Sequence, residues 1–166
     1  GEHSQENSDE VTLPKILLVE DDRILGRTIQ KFLLKTLGLE VLYFDSPNLC
    51  LAYIDEKKSE GPDSLHPFCL VTDISFNDSV IDGLVLIDKI KEKNPKFVAV
   101  VMTGFASIET AIMATKKGVF HYLTKPFDLE VLSDLVIKSL TLKLQYSEKL
   151  LLSVAKQEKK KTEQER

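Results

Sequence analysis

The chain holds 166 residues, 43% of them hydrophobic and 29% charged, with a formal net charge of −4 at pH 7. That length supports one domain with a proper core and an appendage. The acidic balance gives no global field for recruiting nucleic acid or an anionic membrane, and no apolar run approaches the ~18 residues of a membrane span. The two cysteines, Cys50 and Cys69, lack metal-ligand spacing and sit in apolar runs, so they read as reduced core residues of a reducing, cytoplasmic compartment. The three histidines, His3, His66 and His121, are scattered along the chain and read as solvent or core residues.

Residues 1–13 are polar and acidic and read as a disordered leader, with no hydrophobic stretch of a signal peptide. KILLVE (15–20) is a continuous apolar run, as expected for a strand buried on both faces. From 23 to 37 the spacing becomes helical, with Leu25, Ile29, Phe32, Leu33 and Thr36 on one face and Gly38 as the stop. VLYF (41–44) is a second strand. Ser46-Pro47 then opens a helix expected to turn Leu49, Ala52 and Tyr53 inward and to end near Lys58. FCLVT (68–72) is the third strand. A loop leads to Gly83 and a helix to about Lys93, which Asn94-Pro95 stops. FVAVVM (97–102) is the fourth strand, and Ser107 is placed to cap the helix that ends at Gly118. FHYLT (120–124) is the fifth, and Asp128 is placed to cap the last helix.

Apolar strands alternating with helices predict a doubly wound parallel sheet covered on both faces. In such sheets chemistry gathers beyond the carboxyl ends of the strands. Those ends carry Glu20-Asp21-Asp22, Asp73, Thr103-Gly104 and Lys125-Pro126. Several carboxylates in one crevice repel each other and call for a counter-charge. A hard cation such as Mg²⁺, which takes carboxylate and phosphate oxygens, supplies it beside Lys125. Thr103 adds a hydroxyl donor and Gly104 an accessible backbone N–H. Together these groups suit a nucleophilic carboxylate that accepts a phosphoryl group.

On the stretches ILLVEDD, LVTDI, DGLVLI, VVMTGFAS and YLTKPF, the chain resembles the receiver domain of bacterial two-component response regulators over residues 14–140. The resemblance implies a flavodoxin-like fold with strand order 2-1-3-4-5. It implies Asp73 as phosphoacceptor and Glu20, Asp21, Asp73 and the Ser75 backbone carbonyl as the Mg²⁺ set. Asp22 is a weaker candidate for that set. Lys125, before a cis proline bond, would join Thr103 and Gly104 on the phosphoryl group. Thr103 and Tyr122 would form the switch that reshapes the face of the fourth helix, fifth strand and fifth helix. The implied partners are a histidine kinase or histidine phosphotransfer protein. Activity beyond self-catalysed phosphotransfer and autodephosphorylation is not expected. One departure stands out: DISFNDSVIDG runs about two residues longer than the family pattern and lacks its Met-Pro. Ser75 and Phe105, each two places after a site residue, stand where they can gate the attacking water.

Other readings compete. An aspartyl-phosphate phosphatase of the haloacid-dehalogenase type wants a second Asp two places after the nucleophile, where this chain has Ser75. A flavin-binding flavodoxin wants a Ser/Thr/Gly-rich loop after the first strand, and none is present. A receiver-like scaffold that dimerises without phosphorylating remains the alternative.

Residues 141–166 read as a helical extension or coiled-coil linker. From Leu129 to the end there is no proline or glycine, so one continuous helix is expected. Ile137, Leu140, Leu144, Leu151 and Val154 form a 3-4 seam interrupted at Ser147, which suggests homodimer pairing and passage to an effector domain beyond this chain. No helix-turn-helix or NTPase loop is present, and the basic run 156–161 is too short to argue for DNA.

Overall fold

The computed structural model describes residues 12–77, 79, 80 and 82–165; the leader expected over 1–13 lies, up to residue 11, outside the described residues. Five strands, β1 (Lys15–Val19), β2 (Val41–Phe44), β3 (Phe68–Asp73), β4 (Phe97–Thr103) and β5 (His121–Thr124), form one parallel sheet in the order β2-β1-β3-β4-β5. Between and after them run α1 (Arg23–Leu37), α2 (Pro47–Ser59), α3 (Gly83–Glu92), α4 (Ile108–Lys116), α5 (Leu129–Leu142) and α6 (Glu148–Gln164).

The apolar runs of β1, β3 and β4 are buried on both faces, as a parallel sheet requires. Because strand side chains alternate, β1 divides its load. Ile16 and Leu18 pack with Ile29 and Leu33 of α1, Leu132 and Val136 of α5, and Leu151 of α6. Leu17 and Val19 pack on the opposite face with Cys50 and Ile54 of α2 and Leu86 and Ile90 of α3. Both cysteines are free and buried, and burial pushes each thiol up to about 12.

Local chemistry sets the boundaries. Asp22, Ser46, Asp82, Ser107 and Ser147 each accept a backbone N–H of the first helical turn that follows. Gly38 ends α1 in the left-handed region, at φ 69°.

Three expectations are corrected. On α2 the inward residues are Cys50 and Ile54, with Tyr53 packed beside them as expected, whereas Leu49 and Ala52 face water. The helix is only weakly two-faced, so its spacing picks out only part of the inward side. Asp128 precedes α5 but makes no side-chain cap bond. The continuous helix from Leu129 is two helices. The chain leaves α5 at Lys143, Gln145 adopts φ 60°, Tyr146 N–H donates to the Leu140 carbonyl at 3.1 Å, and Ser147 caps α6. Ser147, the residue that interrupts the 3-4 seam, is therefore a helix start. The seam is used within the chain: Leu140 and Leu151 are fully buried, and Ile137, Leu144 and Val154 pack on the same core.

Candidate functional site at the carboxyl edge of the sheet

Strand order places the ends of β1 and β3 side by side, with β4 next to β3. Their terminal residues therefore face one crevice, and β5 delivers Lys125 to it. The Lys125 ammonium donates to Asp73 Oδ2 at 2.7 Å and to Glu20 Oε1 at 2.5 Å. The Lys125-Pro126 peptide bond is cis. Glu20, Asp21 and Asp73 present carboxylate oxygens that all lie within 4.8 Å of one another.

The electrostatics follow from burial. Glu20 is 1% exposed, and desolvation pushes its carboxyl up to about 7, against the opposing pull of Lys125. Burial alone would lower the Lys125 ammonium; its hydrogen bonds to Asp73 and Glu20 outweigh that, and the net shift is upward. One ammonium faces three carboxylates, so the crevice carries an excess of hard anionic oxygen. That donor set fits Mg²⁺, with Glu20, Asp21 and Asp73 as the side chains to hold it.

The remaining expected residues are also at hand. Thr103 is almost fully buried, and its Oγ1 accepts the Phe105 N–H at 3.0 Å, which leaves its hydroxyl proton free to donate. Gly104 is exposed and meets nothing within 4 Å of the position a Cβ would take. Ser75 is exposed and its N–H donates to Asp73 Oδ1 at 3.3 Å. Phe105 stands 85% exposed. Tyr122 is half-buried, with its hydroxyl 2.7 Å from Thr110 Oγ1 and 3.4 Å from the Ser107 N–H. Asp22 is occupied as the cap of α1. His66 and His121 belong to no candidate metal cluster among the described residues, and His3 lies outside them.

Some contributors were not legible as site residues. Tyr43, at the end of β2, donates its hydroxyl to the Glu20 carbonyl at 2.5 Å and lies under the Arg27 guanidinium. Gly26 makes room for it, since a Cβ there would sit 2.3 Å from the Tyr43 ring. A glycine inside a helix, one turn after an acidic run, was the available signal. The Asn77 N–H donates to Asp21 Oδ2 at 2.9 Å. Gly83 closes the loop after β3: its N–H donates to the Ile74 carbonyl at 2.6 Å, and a Cβ would lie 2.1 Å from the Asp73 carbonyl oxygen. Only glycine lets the chain return that close.

Residues 16–137 match the family model described as response regulator receiver domain. The chain belongs to that family. Receivers of this family act in two-component systems by phosphorylation on an aspartate. Transcriptional regulatory protein ZraR of Salmonella typhimurium is 32% identical over 124 residues, which cover 75% of this chain and 26% of that protein. DNA-binding transcriptional regulator NtrC of Azospirillum brasilense is 33% identical over 125 residues, covering 75% of this chain and 24% of that protein. The chain thus spans about a quarter of the length of these relatives. Among solved structures, a response regulator receiver domain protein from Clostridium thermocellum superposes with a TM-score of 0.65 at 29% identity, over 80% of this chain and 98% of that one.

Proposed function

We propose that this receiver accepts a phosphoryl group on Asp73 from a histidine kinase or histidine phosphotransfer protein, with Mg²⁺ bound at Glu20, Asp21 and Asp73. The observation that carries the reading is the meeting of Asp73, Glu20 and Lys125 at hydrogen-bond distance in the crevice. An Asp73 oxygen attacks phosphorus, the phosphorus–nitrogen bond of the donor breaks, and the imidazole nitrogen leaves with the electron pair and takes up a proton. Lys125 is positioned to follow the negative charge from the carboxylate to the phosphoryl oxygens. The metal, when bound, neutralises charge on those oxygens. Ser75, through its backbone carbonyl, is proposed to complete the metal set. Thr103 and Gly104 donate to the phosphoryl group. Hydrolysis of the acyl phosphate returns Asp73, and no other catalysis is assigned.

Apolar surface flanks the crevice. Leu25, Pro126, Phe127 and Leu129 line a cavity of about 460 Å³, and Ile24 beside it is 84% exposed. This rim suits docking of the helix that carries the phosphohistidine. Phosphorylation draws the Thr103 hydroxyl toward Asp73 and Tyr122 follows. Because Tyr122 bonds the capping residues of α4, its movement loosens them and reshapes the α4–β5–α5 surface. Copies of the chain pair through that surface, the C-terminal helix or both, and an effector segment follows in the full protein. No helix among the described residues is long and apolar enough to cross a membrane, and the proposed setting is the cytoplasm, without direct contact to nucleic acid.

The test is incubation with acetyl phosphate and Mg²⁺, read by intact mass. Wild type gains one phosphoryl group, and chelation or Asp73→Ala prevents it. Wild type that stays unmodified under these conditions favours the non-phosphorylating scaffold.

A further inference from the structure

α6 runs antiparallel to α1. Gly38, at the end of α1, meets Val154 and Glu158, so closely that a Cβ on Gly38 would be 2.8 Å from the Val154 carbonyl oxygen. Phe32, further back along α1, shares a groove of about 760 Å³ with Thr162 and Glu163, near the end of α6. Glu130, in the first turn of α5, lines the same groove, so α6 is antiparallel to α5 as well. The docking is apolar in the first turn of α6, where Leu151 is 0% exposed.

The connection that allows this return is an unusual one. Residues 143–147, KLQYS, contain neither glycine nor proline, and Gln145 holds φ 60° where a glycine would ordinarily stand. Lys, Leu and Gln are good helix formers. Leu142, at the bend, is 68% exposed.

We propose that two copies exchange α6. Residues 143–147 straighten into helix, α5 and α6 become one rod, and the α6 of each copy occupies the α1–α5 groove of the other. This rests on the reading that copies pair, and it names the surface and the partner: the groove, and a second copy of the chain. The occupant is identified because α6 already packs against α1 and α5 within one chain, through Leu151 and Val154, and a second copy offers the same seat. The geometry closes. Two straight rods antiparallel about a twofold axis set each α6 antiparallel to the other copy's α5, as it now lies against its own. The exposed Leu142 residues come near that axis. Every apolar contact of α6 is kept in the exchange, and the left-handed Gln145 is relieved twice. The cost is lost translational freedom, so the equilibrium depends on concentration.

The test uses the double variant Thr36→Cys with Ala155→Cys, both groove-lining positions, joined by a short bismaleimide. The native thiols are buried and stay unreactive. In the dimer fraction from size exclusion, the expected bridge joins two chains. In the monomer fraction it lies within one. On the otherwise native chain, Gln145→Ala dimerises more tightly than Gln145→Gly by about tenfold or more, since only glycine occupies the left-handed bend without strain. A dimer fraction bridged within each chain overturns the exchange while leaving pairing through another face intact. Equal association of the two Gln145 variants overturns it too. A chain that is monomeric in every variant and concentration overturns both the exchange and the pairing.

Discussion

The crevice at Asp73 and the seam between α1 and α6 are both buried junctions between distant parts of the chain, yet opposite forces build them. The seam is made of Leu33 and Leu37 of α1 with Leu151 and Val154 of α6, which lose water and gain contact. The crevice gathers three carboxylates around one ammonium, a costly arrangement that a cation relieves. A region selected for stability and one selected for chemistry can thus be told apart by what happens when each is cut.

Among variants that keep the acceptor carboxylate, the largest effect is expected from Lys125→Met. It strips Glu20 and Asp73 of their counter-charge, and phosphoryl acceptance from acetyl phosphate falls by about 10²-fold or more in labelling rate. Asp73→Asn abolishes acceptance outright but leaves stability in urea within about 0.5 kcal/mol, because Lys125 keeps Glu20 as partner. Leu151→Ala should do the reverse: a loss of about 2–4 kcal/mol in urea unfolding, with the labelling rate of the folded protein unchanged. If Leu151→Ala slowed labelling as much as Lys125→Met does, the two regions would be one functional unit and the contrast would fail.

Titration sharpens the comparison further. Burial raises the Glu20 carboxyl from 4.5 to about 7 in the folded protein. Within that window the folded state binds more protons than the unfolded chain, so the Glu20 contribution to stability falls as pH rises. Mg²⁺ must displace that proton, so its affinity rises severalfold between about pH 6 and pH 8. Calorimetric Mg²⁺ titration should show the slope in wild type and lose most of it in Glu20→Gln. The smallest effect is expected from Tyr43→Phe, which removes one hydroxyl from the Glu20 carbonyl. It costs about 1 kcal/mol in urea and weakens Mg²⁺ a few fold in the same titration.

The sheet was legible because each strand is a short apolar run bounded by turn residues, and the crevice because polar residues end those runs at adjacent places. The C-terminal region was misread for a physical reason. A run without proline or glycine carries no visible stop, and Gln145 is a poor left-handed residue held there by packing of the seam. Ser147 is the one local sign, because the residue that breaks the repeat is also a good helix cap. The inward face of α2 was missed because apolar residues lie around that helix and periodicity cannot choose among them. Tyr43 stands within the VLYF strand, and its hydroxyl's target is a backbone carbonyl, which no side-chain pattern announces.

The segment after β3 leaves the sheet at Ile74 and is tied back to that same residue by Gly83. Its two ends therefore meet beside Asp73. Between those ends the segment is tied to the carboxylates as well, through the Asn77 N–H on Asp21 and the Ser75 N–H on Asp73. A change in its length therefore reaches the acidic crevice through those ties.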